Sequence, residues 1–122
     1  MTDFADIAEI TAQADLPVEH YGVRAEILGK LLNVGMPVPH GFAVSKAAVR
    51  RFAVGEEPDL KILNSVWKPG ILYSVRRSPE QRNWGGPRAI LNIGMNSQTR
   101  DIMARDHGLD RANNLYCRFI RS

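Results

Sequence analysis

The stretch Ile71-Leu-Tyr-Ser-Val-Arg-Arg-Ser78, followed by Ala89-Ile-Leu-Asn-Ile-Gly-Met-Asn96, decides the fold class. An apolar run ends in two arginines, and Pro79, Gly85, Gly86 and Pro87 punctuate the residues between it and a second apolar run. This predicts two strands, at about 71–76 and 89–93, with a loop between them. The first run alternates poorly, which predicts a strand buried on both faces and therefore rigid. Arg76 stands at its end. A guanidinium held there suits phosphate oxygens, because its planar fork offers paired hydrogen bonds. The competing reading makes Arg76 a structural arginine paired with an acid of its own domain. Trp84, in the glycine-rich loop, reads as a lid over the core or as a surface for a ligand.

Outward from these strands the pattern is mostly helical. Asn96-Ser97 opens a helix through Arg105 that His107-Gly108 closes. Asp110 is placed as the cap of a last helix whose Ala112, Leu115, Tyr116 and Phe119 share a face. On the other side, Phe4, Ile7, Ala8 and Ile10 predict a helix over 4–14, capped by Thr2 or Asp3. Ile27, Leu28, Leu31, Leu32 and Val34 predict an amphipathic helix from Arg24 to Val34, stopped by Gly35. Met36-Pro-Val-Pro-His-Gly41 has to be extended, since two prolines exclude helix. Phe42–Val44 reads as a strand. Ser45 caps a helix from Lys46 to about Ala53 that buries Ala48, Val49 and Phe52. A further short helix is expected over Leu60–Trp67, with Leu60, Leu63 and Trp67 inward, before a turn at Lys68-Pro-Gly70. Helices, a strand, helices, two strands and helices make an α/β or α+β chain with a small sheet flanked by helices.

The chain has 122 residues, 44% hydrophobic and 24% charged, as expected of one soluble domain or a piece of one. No apolar run approaches the roughly 20 residues of a membrane span, and no basic-then-apolar leader is visible, so no membrane partner is expected. A lone cysteine, Cys117, read as half-buried in the last helix, fits a reducing cytoplasm. The last helix runs to Ser122 without a stop signal, an expectation of architecture beyond this stretch. The net charge of +3 is uneven. Residues 1–70 carry 7 Lys+Arg and 9 Asp+Glu; residues 71–122 carry 9 Arg, no Lys and 4 Asp+Glu. Ion pairs to Asp101, Asp106 and Asp110 are the plain expectation for that arginine-rich half.

Several chemistries find no support in the spacing. His20, His40 and His107 lie far apart without Cys or carboxylate partners, so no metal site is assembled and each reads as a loop or capping histidine. Ser74 and Ser78 lack an identifiable base. The Walker loop and the dinucleotide glycine fingerprint are absent. Tyr21-Gly22-Val23-Arg24 before a helix has the elements of a phosphate cradle, or of a plain loop-to-helix junction.

Four blocks in order resemble the N-terminal, nucleotide-binding ATP-grasp part of pyruvate phosphate dikinase, a family of phosphoenolpyruvate-utilising enzymes. They are Gly22-Val-Arg-Ala-Glu-Ile-Leu-Gly-Lys-Leu31 with Val34-Gly-Met-Pro-Val-Pro-His-Gly-Phe42, Tyr73-Ser-Val-Arg-Arg-Ser78, Ile90-Leu-Asn-Ile-Gly-Met-Asn96 and Tyr116-Cys-Arg-Phe-Ile120. The resemblance covers 21–122 and leaves 1–20 as an N-terminal helical extension. It implies the first subdomain of an ATP-grasp domain, with ATP as the cofactor. It implies nucleotide contacts by Arg24, where the family has lysine, and by Arg76, whose counterpart lies at the ATP phosphates. Mg2+ is expected only together with a second lobe that carries the metal-binding acids, and the catalytic residues stay unassigned. Three departures bear on the site. Val23 and Ala25 replace glycines, Arg24 replaces lysine, and Asn83-Trp-Gly-Gly-Pro-Arg-Ala89 places Arg88 where the family has an acid.

Two partner classes compete with nucleotide. One is an interaction or regulatory module on the same scaffold, joining a second copy or the remainder of a phosphoenolpyruvate-utilising enzyme through the last helix at Leu115 and Phe119. The other is nucleic acid on the arginine-rich half; the scarcity of lysine and of interleaved aromatics speaks against it.

Overall fold

The computed structural model describes residues 4–65, 68, 70–81 and 89–122. Among them the chain is a mixed α/β protein with two two-stranded antiparallel sheets and four α-helices. It divides into two units. The first is Met1–Ile62 with Ser78–Gly85, and the second is Leu63–Arg77 with Gly86–Ser122. No helix among the described residues is long and apolar enough to cross a membrane.

The first unit begins with a correction. The helix expected over 4–14 is absent: Ile7–Glu9 is strand β1, and within the described part of the N-terminal 20 residues helix begins only at Val18. β1 pairs antiparallel with β2 (Phe42–Val44), in the register Ile7↔Val44, Ala8↔Ala43 and Glu9↔Phe42. Ile10 N donates to the Gly41 carbonyl at 2.9 Å and Ser45 N to the Asp6 carbonyl at 2.8 Å, extending the ladder at both ends. The physical reason lies in β2. A three-residue strand between Gly41 and Ser45 needs a partner for its backbone groups, and only pairing supplies one. A short helix carrying Ile7, Ile10 and Thr11 is marginal by comparison. The three-residue spacing of Ile7 and Ile10 imitates a helix because the strand ends between them.

Helix α1 (Val18–Asn33) starts after Pro17, whose carbonyl accepts from His20 and Tyr21. It is interrupted at Gly22, where φ is 79° and ψ 173°, and resumes to Asn33. Its end is a Schellman motif: Met36 N bonds Leu31 O and Gly35 N bonds Leu32 O, with Gly35 at φ 82°. Helix α2 (Lys46–Ala53) begins on Ser45, whose hydroxyl accepts from Ala48 N at 3.1 Å, as expected. Ala48 is fully buried and Phe52 half-buried; Val49, expected inside, is exposed. α1 packs on α2 and β2. Ile10, Leu16, Tyr21, Ala25 and Ala43 form the buried cluster, with Phe4, Leu28 and Leu32 against it.

Lys61–Ser65 is a 3-10 helix, shorter than the helix expected, and Leu60 before it is exposed. Trp67 lies outside the described residues. In the second unit β3 (Tyr73–Val75) pairs antiparallel with β4 (Ile90–Ile93). Tyr73 faces Ile93 and Val75 faces Ile90, so β4 carries one residue more than β3 between these pairs. That extra residue makes a bulge. Asn92 adopts φ 55° there, a region Asn tolerates better than most residues. Its side-chain amide donates to the Leu115 carbonyl at 3.0 Å, which fastens β4 to helix α4 (Leu109–Arg121). Helix α3 (Ser97–His107) is capped by Asn96, whose Oδ1 accepts from Thr99 N at 2.8 Å. Gly108 alone joins α3 to α4. The first residue of α4 follows that glycine directly, so Asp110 lies in the first turn and is not the cap expected. Ala112 is fully buried, with Leu115, Tyr116 and Phe119 half-buried, where α4 packs on α3 and β4.

The break in α1 predicts an asymmetric response to alanine. A Cβ at Gly22 would stand 1.6 Å from the Ser78 carbonyl oxygen, whereas one at Gly35 meets nothing within 4 Å. Gly22→Ala is expected to lose about 3 kcal/mol or more, because backbone has to move as well as strain. Gly35→Ala keeps only the positive-φ cost of about 1 kcal/mol. Urea denaturation of the two variants measures the difference.

Candidate functional site

The helical segment after Gly22 has no Ser, Thr, Asp or Asn of its own to cap it, and its first amides look elsewhere. Val23 N donates to the Pro79 carbonyl at 2.7 Å, and Ala25 N to the Ser78 hydroxyl at 3.1 Å. Lys46, at the start of α2, forms an ion pair with Glu80. Three contacts therefore hold residues 78–80 on the first unit. Gly22 permits this approach twice over, by its dihedral and by the lack of a Cβ. The amides at 23 and 25 are thereby spent on protein, so the segment behaves as a junction and its backbone is not the phosphate cradle considered from sequence.

Tyr21 anchors the same corner. It is buried, and its hydroxyl donates to the Ala5 carbonyl at 2.7 Å. Phe4 meets its ring edge-on at 6.1 Å and stacks on His20 at 4.2 Å. Burial pushes the Tyr21 phenol above its ordinary value of 10.0, and the negative charges of Asp6 and Asp15 push it the same way.

Arg24 is exposed on the first turn after Gly22 and has a further interaction partner. Arg76 is exposed beyond the end of β3 in the second unit, and among the described residues it makes no ion pair and no hydrogen bond. The carboxylate that would make it a purely structural arginine is not found there. The burial on both faces expected of its strand is corrected, however. Among the described residues β3 has a single neighbour, Ser74 is exposed, and Val75 and its partner Ile90 are 58% and 45% exposed. Burial on both faces needs layers above and below, which a two-stranded ribbon lacks. Trp84 and Arg88 lie outside the described residues.

Two grooves lie among the described residues. One, of about 260 Å3 in the first unit, is lined by Asp15, Leu16, Glu26, Lys30 and Asn33; Lys30 reaches Glu26 at 3.0 Å. The other, of about 280 Å3 in the second unit, opens at the start of α3 by Lys68, Gly70, Gly94, Asn96 and Gln98. Neither is lined by Arg24 or Arg76. No group of three or more His, Cys, Asp or Glu able to hold a metal occurs among the described residues. His20 stacks on Phe4, His40 Nε2 lies 2.6 Å from Glu9 Oε1, and His107 closes α3. Cys117, expected half-buried, is exposed. The face of α4 around Leu115 and Phe119, expected to seek a partner, is the one that packs inside its own unit.

Sequence reading missed Ser78 and Pro79 as cap partners and Tyr21 as an anchor. The available signal was negative: a helix opening on glycine without a local cap needs a distant one. No spacing rule identifies which serine supplies it.

Tyr21 carries an alkaline prediction. Its folded pKa lies above the unfolded value near 10, so the stability it contributes is complete below about pH 10 and is lost as pH rises through the higher folded value. Tyr21→Phe is expected to cost about 1 kcal/mol at neutral pH through the lost bond to Ala5, and to flatten the alkaline decline. Urea melts at about pH 7 and about pH 11 read both effects. No protein-family model, curated protein or solved structure matches the chain.

Proposed function

We propose that residues 21–122 are a nucleotide-binding subdomain of the ATP-grasp kind, similar to the N-terminal part of pyruvate phosphate dikinase, with Arg24 and Arg76 contacting the phosphates of ATP. One observation supports this reading above others. The block at Gly22–Leu31 and the block ending at Ser78, which carry the resemblance, are bonded to each other across 53 positions through Ala25 and Ser78. With the junction amides spent, side chains are left to make the phosphate contacts.

An exposed guanidinium offsets charge on a phosphate group and orients it, which is most of what a protein supplies to phosphoryl transfer. In this reading the chain contributes binding, and transfer takes place only with a second lobe that brings the carboxylates to hold Mg2+. The lone Cys117 accords with a reducing cytoplasm as the place of work.

Titration of the amide NMR spectrum with ATP, with and without Mg2+, is expected to shift signals around Arg76 and around 22–25. Arg76→Ala should raise Kd by about tenfold to a hundredfold, the worth of a charge-assisted hydrogen bond to phosphate. Arg24→Ala should act in the same direction. A spectrum unchanged at millimolar ATP overturns the reading for this chain.

A further inference from the structure

Charge and pairing divide the chain unevenly. The first unit carries 7 Lys+Arg and 10 Asp+Glu, and Lys30, Lys46 and Arg51 all lie in ion pairs. The second unit carries 9 Lys+Arg and 3 Asp+Glu, a net charge of +6. Of the pairs expected there with Asp101, Asp106 and Asp110, Arg100 with Asp101 at 3.2 Å is the one found among the described residues. Arg111, Arg118 and Arg121 are exposed and make no ion pair among them.

These three sit on one side of α4. At 100° per residue, Arg111, Asn114, Arg118 and Arg121 fall within an arc of about 80°, and they span about 15 Å of helix axis. The arc lies beside the buried face of Ala112, Leu115, Tyr116 and Phe119 and leaves it intact. Helix stability explains part of the row: Arg118 and Arg121 stand in the last turn, where cations complement the helix dipole. It does not explain Arg111, near the positive end, where a cation is disfavoured.

We propose that the arginine face of α4 is a docking surface for the sugar–phosphate backbone of a nucleic acid. Planar guanidiniums engage phosphate through paired hydrogen bonds, and a duplex presents one negative charge per about 1.7 Å of its axis, enough to meet every arginine of the row. Asn114 adds a neutral donor and acceptor between them. An anionic membrane is the poorer match, because a surface helix binds lipid by inserting its apolar face, and that face of α4 packs on α3 and β4. The scarcity of lysine, read from sequence as evidence against nucleic acid, instead narrows contact to oriented phosphate bonds. This surface is independent of Arg24 and Arg76.

Fluorescence anisotropy of the full chain with a 20-base-pair duplex DNA and a 20-nucleotide RNA, at about 50 to 200 mM salt, tests it. Vesicles rich in phosphatidylserine and poly-glutamate serve as rival partners. Binding should weaken steeply with salt. In R111Q/R118Q/R121Q affinity at low salt should fall about tenfold or more, and the log–log salt slope by about 2 to 3. K30Q/R50Q/K61Q, which removes equal charge from the first unit, should change binding less than the α4 variant. The single variant Arg118→Glu repeats the test with the least perturbation of the fold. The proposal is overturned by absence of binding at 50 mM salt, by equal loss in both triple variants, or by vesicles or poly-glutamate binding as tightly as nucleic acid.

Discussion

The approach of the Gly22 backbone to the Ser78 carbonyl is the constraint on which the first unit turns. Any side chain at 22 would occupy the space that carbonyl holds, and the left-handed dihedral that admits it breaks α1 at the same point. The break frees the amides of Val23 and Ala25 from helical partners, and the segment at 78–79 accepts them. Bringing together residues 53 apart costs loop entropy that two hydrogen bonds offset only in part. Burial of Tyr21 and Ala25 in the core beside the junction and the Lys46–Glu80 ion pair make up further stabilisation.

The elements legible in the sequence are those whose signals are local. Ser45 and Asn96 cap α2 and α3 because a short polar side chain three residues before a free amide is sufficient cause. Gly35 ends α1 for the same kind of reason. β1 was not legible, because its conformation is decided by β2, more than 30 residues on, and its own apolar spacing points to a helix. The two-faced burial expected of β3 failed likewise: poor alternation matches a central strand, and it also matches a short ribbon with exposed Val75 and Ile90. Of the site, sequence brought out Gly22, Arg24 and Arg76 as residue types suited to phosphate. It did not reveal that Ser78 and Pro79 consume the helix amides, since no rule of spacing connects them to Val23 and Ala25.

Asn92 shows how a single residue in this chain does local and distant work together. The bulge demands a residue that tolerates φ near 55°, and the same side chain reaches the Leu115 carbonyl of α4. Gly94 comes next but one at φ 103°, where a Cβ would lie 3.0 Å from the Ile71 carbonyl. The run Asn92-Ile-Gly94 is therefore required by the geometry of β4, whatever the unit binds.

The same separation applies to the arginines. In the first unit acids outnumber bases, and its paired cations are consumed in holding segments together, as Arg51 joins Asp6 and Glu56 across the start and end of the unit's helical part. In the second unit the acids are too few to do so, and a helix with a packed apolar face leaves its cations outward. Such a face costs the fold self-repulsion between like charges that a mixed surface would avoid. The helix dipole favours Arg118 and Arg121 but opposes Arg111, which makes no ion pair among the described residues. A polyanion seated along α4 would relieve the repulsion, whereas a single nucleotide bound near Arg76 would leave the row as it stands.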